Sequence, residues 1–79
     1  MNPKVIAVKA QDDYKILLTF TNNEMRVFDM RPYIDKGFFK QLQDRSYFNN
    51  VKQFMDSMQW QNGQDLCFDT LYLDSEKVN

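Results

Sequence analysis

The chain predicts an α+β fold: a small antiparallel sheet of about five strands, with one or two short helices packed on one face as a second layer. Three observations predict it. Tyr14, Ile16, Leu18 and Phe20 alternate with Lys15, Leu17, Thr19 and Thr21, the period-two pattern of a half-buried strand. Turn signals at Asp12-Asp13, Asn22-Asn23 and Asn62-Gly63 separate short apolar runs. Helical spacing appears only in stretches too short to persist without packing onto something else.

Taken in order, Lys4–Ala10 reads as strand one, because Val5 to Val8 are rich in β-branched residues and the apolar positions alternate up to Ala10. Asp12-Asp13 turns the chain into the Tyr14–Thr21 strand. Asn22-Asn23 closes the next hairpin, since Asn tolerates positive φ at no great cost. Glu24–Asp29 follows as strand three, with Met25 and Val27 on one face and Arg26 and Phe28 on the other, completing a three-stranded meander. Pro32 then breaks the sheet, as it lacks an amide donor and keeps Arg31 out of helical angles. Phe38, Phe39 and Leu42 can share one face of a short helix. Asp44-Arg45-Ser46 reads as a linker with Phe48 as an apolar anchor beyond it.

Val51–Phe54 and Met58–Trp60 form a second predicted hairpin, turning at Met55-Asp56-Ser57 and ending at Asn62-Gly63. Asp69–Tyr72 is a final helical turn, with Phe68, Leu71 and Tyr72 facing inward. Ser75–Asn79 reads as a loose terminus. Residues 1–79 are expected to form a single domain, near the lower size limit for folding without a metal or disulfide. An apolar share of 43% and an aromatic share of 15% fit an aromatic-heavy core, in which each ring buries a large area.

Composition excludes much chemistry. The chain has no histidine, so the commonest general base and the commonest metal ligand are missing. One cysteine cannot make an internal disulfide, and with no histidine it cannot hold a structural zinc. Two distant glycines cannot make a phosphate-cradling loop. The first apolar run ends at Lys9, too short for a signal-peptide core or a membrane span, and with a lone thiol this predicts a cytoplasmic protein.

Net charge is −1, but residues 1–52 hold nine Lys/Arg against six Asp/Glu, and residues 53–79 one Lys against five Asp/Glu. That asymmetry means either a polarised partner surface or halves that fold together and cancel. Arg26, Arg31, Lys36, Lys40, Arg45 and Lys52, interleaved with Phe28, Tyr33, Phe39 and Tyr47, have the composition of a single-strand nucleic-acid platform or of a solvated face. A net charge near zero favours the solvated face.

Asp65 and Asp69 are the strongest carboxylate pair. On one helix face, with Asp74 and Glu76 nearby, they could hold a hard cation, while the simpler expectation is that Asp65 caps the Asn62-Gly63 turn and Asp69 the last helical turn. Asp29, flanked by Arg26 and Arg31, is either an activated carboxylate or an acceptor of backbone and arginine hydrogen bonds where the strand ends. Trp60 and Tyr72, with Tyr33 as a third wall, could stack a ligand, but core packing with the indole N–H on a carbonyl is the expectation for Trp60. Cys67, between Leu66 and Phe68, reads as a buried small hydrophobe. The internal methionines Met25, Met30, Met55 and Met58 read mostly as core gap-fillers.

The ordered set Pro3, Val5, Tyr14/Leu18/Phe20, Phe28-Asp29-Met30-Arg31-Pro32, Gly37-Phe38-Phe39-Lys40-Gln41-Leu42, Phe48, Trp60, Asn62-Gly63, Asp65-Leu66 and Asp69-Thr70-Leu71-Tyr72 resembles a family of small bacterial domains, the domain-of-unknown-function family numbered 2442. The resemblance spans almost the whole chain. Gln61 and Phe68 depart from it, each standing where a rigidifying proline is common. What the resemblance implies is a two-layer α+β domain with no known active residue. Some relatives are joined to a helix-turn-helix domain, and others are encoded beside a second small protein.

These readings lead to one expectation: a non-enzymatic protein-interaction module, without cofactor or metal, that serves as the regulatory or neutralising half of a toxin-antitoxin-like two-gene pair. Arg26, Arg31, Tyr33, Lys36 and Tyr72 are the candidate partner surface, and a homodimer through a sheet edge is a second mode of association. The alternative is a nucleic-acid-associated regulator that supplies dimerisation or effector sensing to a DNA-binding partner, meeting nucleic acid only indirectly. A hydrolase or transferase using Asp29 or Asp65 ranks third.

Overall fold

The computed structural model describes residues 2–79. Alternation in the N-terminal half produces strands β1 (Val5–Gln11), β2 (Lys15–Phe20) and β3 (Met25–Asp29), paired antiparallel as a meander. Ile16, Leu18 and Phe20 are fully buried, whereas Lys15, Leu17 and Thr19 on the opposite face are half-exposed. The register places Ile16 beside Phe28 and Leu18 beside Arg26, so Arg26 lies on the core-facing side of β3. Asn23 takes φ +68°, the conformation that the Asn-Asn turn requires.

The expected five-stranded sheet is instead two antiparallel sheets, one of four strands and one of three. The second holds β4 (Lys52–Phe54), β5 (Ser57–Gln59) and β6 (Asp65–Leu66), with β5 in the middle. Its hairpin turns at Met55-Asp56, as expected. The chain then bends at Asn62-Gly63, where Gly63 has φ +98° and donates to the Trp60 carbonyl at 2.9 Å. The two sheets meet at Val5: its amide donates to the Asp56 carbonyl at 3.0 Å, and its carbonyl accepts from Gln53 Nε2 at 3.0 Å.

The terminus expected to be loose is ordered. Glu76–Lys77 forms β7 against β3, which makes the first sheet β1-β2-β3-β7. Val78 donates to the Met25 carbonyl, and the Asn79 side chain bonds the Met25 amide and the Asn23 carbonyl. The helical segment at Gly37–Gln43 is 3₁₀ in hydrogen bonding. It buries Leu42 and half-buries Phe39 but leaves Phe38 60% exposed, so the three do not share an inward face.

The expected linker is a cap. Asp44 accepts from the amides of Ser46 and Tyr47 at 3.0 and 3.4 Å and starts α1 (Arg45–Phe48). A last helix, α2 (Phe68–Leu73), buries Leu71 and half-buries Phe68 and Tyr72, the inward face that was expected. Val5, Ile16, Leu18, Phe20, Phe28, Met30, Leu42, Phe48, Val51, Met58, Trp60 and Leu71 form one apolar core under both sheets.

Candidate functional site

Asp29 ends β3 and Arg31 follows the bend, so two residues of separation fold the arginine back onto the acid. The Arg31 amide reaches Asp29 Oδ1 at 2.9 Å, Nε spans both carboxylate oxygens, and Nη2 meets Oδ2 at 2.7 Å. The Arg31 side chain holds the Asp29 carboxyl below the ordinary 3.8, outweighing a burial effect of opposite sign. Asp29 raises Arg31 in return. The direction is away from that of a general base poised near neutrality.

A second polar cluster joins distant segments. Arg26 Nη1 pairs with Glu24 Oε1 at 2.7 Å, Nε donates to Ser75 Oγ at 2.9 Å, and Nη2 donates to the Ser75 carbonyl at 3.0 Å. Its guanidinium lies 4.4 Å from the centroid of the Tyr72 ring. The Tyr72 hydroxyl donates to Glu24 Oε2 at 2.8 Å, and its ring meets Phe20 edge-on with centroids 5.1 Å apart. Tyr72, then Arg26 and Asn22, hold the Glu24 carboxyl below its ordinary 4.5 against an opposing effect of burial.

The five candidate partner residues therefore divide. Arg26 and Tyr72 meet at one end of β3 and serve the fold. Arg31, Tyr33 and Lys36 follow its other end, where Tyr33 stacks on Phe28 at 5.7 Å and Lys36 is exposed. Tyr33 and Tyr72 make no platform with Trp60. The indole is 1% exposed, packs against Phe48 and donates Nε1–H to the Phe48 carbonyl at 2.9 Å, the core role expected of it. Beside it, buried Gln64 accepts from the Tyr47 hydroxyl at 2.6 Å and donates to the Phe38 carbonyl and Gln41.

Asp65 and Asp69 share no helix face, because Asp65 lies on β6 and Asp69 in α2. Neither caps as expected. The Tyr47 hydroxyl, not Asp65, accepts the Asn62 amide in the turn. Cys67 occupies the N-cap of α2, and Asp69 instead accepts from Asn2 Nδ2 at 3.1 Å. Among the described residues no three His, Cys, Asp or Glu side chains converge as metal ligands. Cys67 is exposed, contrary to the buried reading, because it stands at the junction where β6 ends and α2 begins.

The largest departure from expectation is at the β4–β5 turn. Met55 is 80% exposed and Phe54 50% exposed, so Met55 is no core gap-filler. Met55 also takes φ +54°, at the hairpin position where glycine fits best. Between this turn, β6 and the start of α2 runs an open groove of about 420 Å³. Amide side chains of Asn50, Gln53, Gln59 and Gln61 rim a second hollow of about 370 Å³, which shares Phe54 with the groove. Alternation alone located the hairpin but carried no signal that its tip stands clear of the core.

Among the described residues no helix is long and apolar enough to cross a membrane. No curated protein and no solved structure matches the chain. The family model described as "Protein of unknown function (DUF2442)" matches residues 5–76, in agreement with the resemblance carried by the spaced motifs, and the chain belongs to that family.

Proposed function

We propose that this chain is a non-enzymatic protein-interaction module of the bacterial cytoplasm that binds another small protein, as the regulatory or neutralising half of a two-gene pair. The observation that carries this reading is where its chemistry and its apolar surface lie. Glu24 and Asp29 are held by arginine and other donors with lowered pKa values, a direction suited to structural carboxylates. Large apolar side chains, by contrast, stand in solvent: Ile6, Phe38, Phe54, Met55, Leu73 and Val78 each expose half or more of their surface. Phe54 and Met55 adjoin at the β4–β5 turn and wall one groove, and a contiguous exposed apolar patch marks a docking surface.

Arg31 and Lys36 stay in the proposed contact set as exposed cations, with Tyr33 beside them. The nucleic-acid alternative has thinner support, because Arg26 is engaged by Glu24 and Ser75 and a net charge of −1 gives no large electrostatic footprint. The test is a tagged pull-down from the native host at moderate salt, with mass spectrometry and nucleic-acid quantification. One stoichiometric small protein supports the module. Bait alone, or bait with nucleic acid, contradicts it.

A further inference from the structure

We propose that the groove between the β4–β5 turn and β6 docks a segment of a partner protein that inserts a large apolar side chain flanked by lysine or arginine. The inference rests on the interaction-module reading and specifies the partner's chemistry. Phe54, Met55, Leu66 and Phe68 supply apolar walls, and Asp56 and Asp65 stand among them. The groove's volume of about 420 Å³ accommodates a large side chain with part of its backbone.

Two features favour an occupant over a bare surface. Met55 holds an unbranched apolar side chain out in water from a left-handed backbone position that disfavours any side chain. Burial under a partner recovers the solvation cost of that exposure. The second feature is charge. Both ionisable side chains in the walls, apart from the Cys67 thiol, are acids, and no lysine or arginine lines the groove. Lys4 stands 3.5 Å from Asp56; both side chains are about half exposed, a pairing that solvent screens and a competing cation displaces at little cost. Two of the five acids in residues 53–79, Asp56 and Asp65, thus acquire a location.

A second copy of the chain seated groove to groove would bring Asp56 and Asp65 against the same acids, and nucleic acid would meet like charge. A basic-flanked apolar segment meets complementary charge around an apolar centre.

The test is an amide-resonance titration of the full chain with two synthetic peptides, one with a Leu-Phe centre flanked on each side by two lysines, the other by two glutamates. The lysine peptide is expected to bind saturably, to shift residues 54–58 and 65–68, and to weaken as salt rises. A paired Asp56→Lys and Asp65→Lys variant, with its melting curve as the folding control, is expected to lose about tenfold in affinity for it and to gain the glutamate peptide. Equal response to both peptides, shifts elsewhere, or no saturable binding overturns the proposal. So does concentration-dependent self-association that shifts the same residues, which assigns the groove to a second copy. A host protein whose capture survives Phe54→Ser with Met55→Gly overturns the groove and leaves the interaction reading standing.

Discussion

Tyr72 and Glu24, forty-eight residues apart in sequence, share a 2.8 Å hydrogen bond that ties the last helix to the turn between β2 and β3. Arg26 lies on the same tyrosine ring and reaches Ser75, so the bond belongs to a clasp that closes the C-terminal segment over the edge of the first sheet.

Tyr72→Phe removes the hydroxyl and keeps the ring on Phe20 and Arg26. It is expected to lower the melting temperature by a few degrees and to raise the Glu24 titration toward its ordinary 4.5, because the hydroxyl is the largest cause of its depression. Side-chain carboxyl NMR against pH checks the second effect. An unmoved Glu24 would show that Arg26 and Asn22 hold it without the hydroxyl.

Acid sensitivity follows with a definite sign. Glu24 and Asp29 have folded pKa values depressed below 4.5 and 3.8, so their contributions are complete above those values and disappear as pH falls through the lowered ones. Urea midpoints are expected to hold steady from neutral pH down to about the ordinary carboxylate range and to fall below it. Asp29→Asn is expected to flatten that fall.

Asp44→Ala leaves the Ser46 and Tyr47 amides without their acceptor at the start of α1. The expected cost is about 1 kcal/mol in chemical denaturation. A linker role for Asp44 would make the change nearly silent.

Trp60→Phe removes the indole donor from the Phe48 carbonyl, which keeps only the Val51 amide at 3.3 Å, and opens space at the centre of the core. A loss of about 2–4 kcal/mol is expected, a large share of the stability of so small a domain.

Met55→Gly acts in opposite directions on fold and function. It relieves the left-handed backbone and is expected to stabilise the free protein by about 0.5–1 kcal/mol, while weakening partner binding. Thermal denaturation and capture of the partner read the two effects separately.

What the sequence revealed and concealed follows from the range of the forces involved. The alternation from Tyr14 to Phe20, the positive φ at Asn23 and the break at Pro32 are local, and each was legible. The strand at Glu76–Lys77 was not, because five polar or terminal residues carry no periodicity; it is placed by non-local bonds from Arg26 to Ser75 and from Val78 to Met25. Asp69 looked like a cap because Cys67, a residue whose side chain makes no capping bond here, gave no signal of holding that position. The apolar run Leu66-Cys67-Phe68 implied burial throughout, yet a strand-to-helix junction turns its middle residue out. Of the candidate surface, Arg26 and Tyr72 were legible as a charged and an aromatic residue but not as partners, since a side-chain clasp between distant segments leaves no spacing pattern.

The most direct measurement is a parallel pull-down from the native host with three baits: the wild type, Phe54→Ser with Met55→Gly, and Arg31→Ser with Lys36→Ser, each checked for an intact melting transition. One small protein is expected on the wild type at stoichiometric yield, free of nucleic acid, depleted on the hairpin variant and retained at least in part on the arginine–lysine variant. Equal recovery on the hairpin variant, or no protein on any bait, would contradict a docking module centred on the β4–β5 turn.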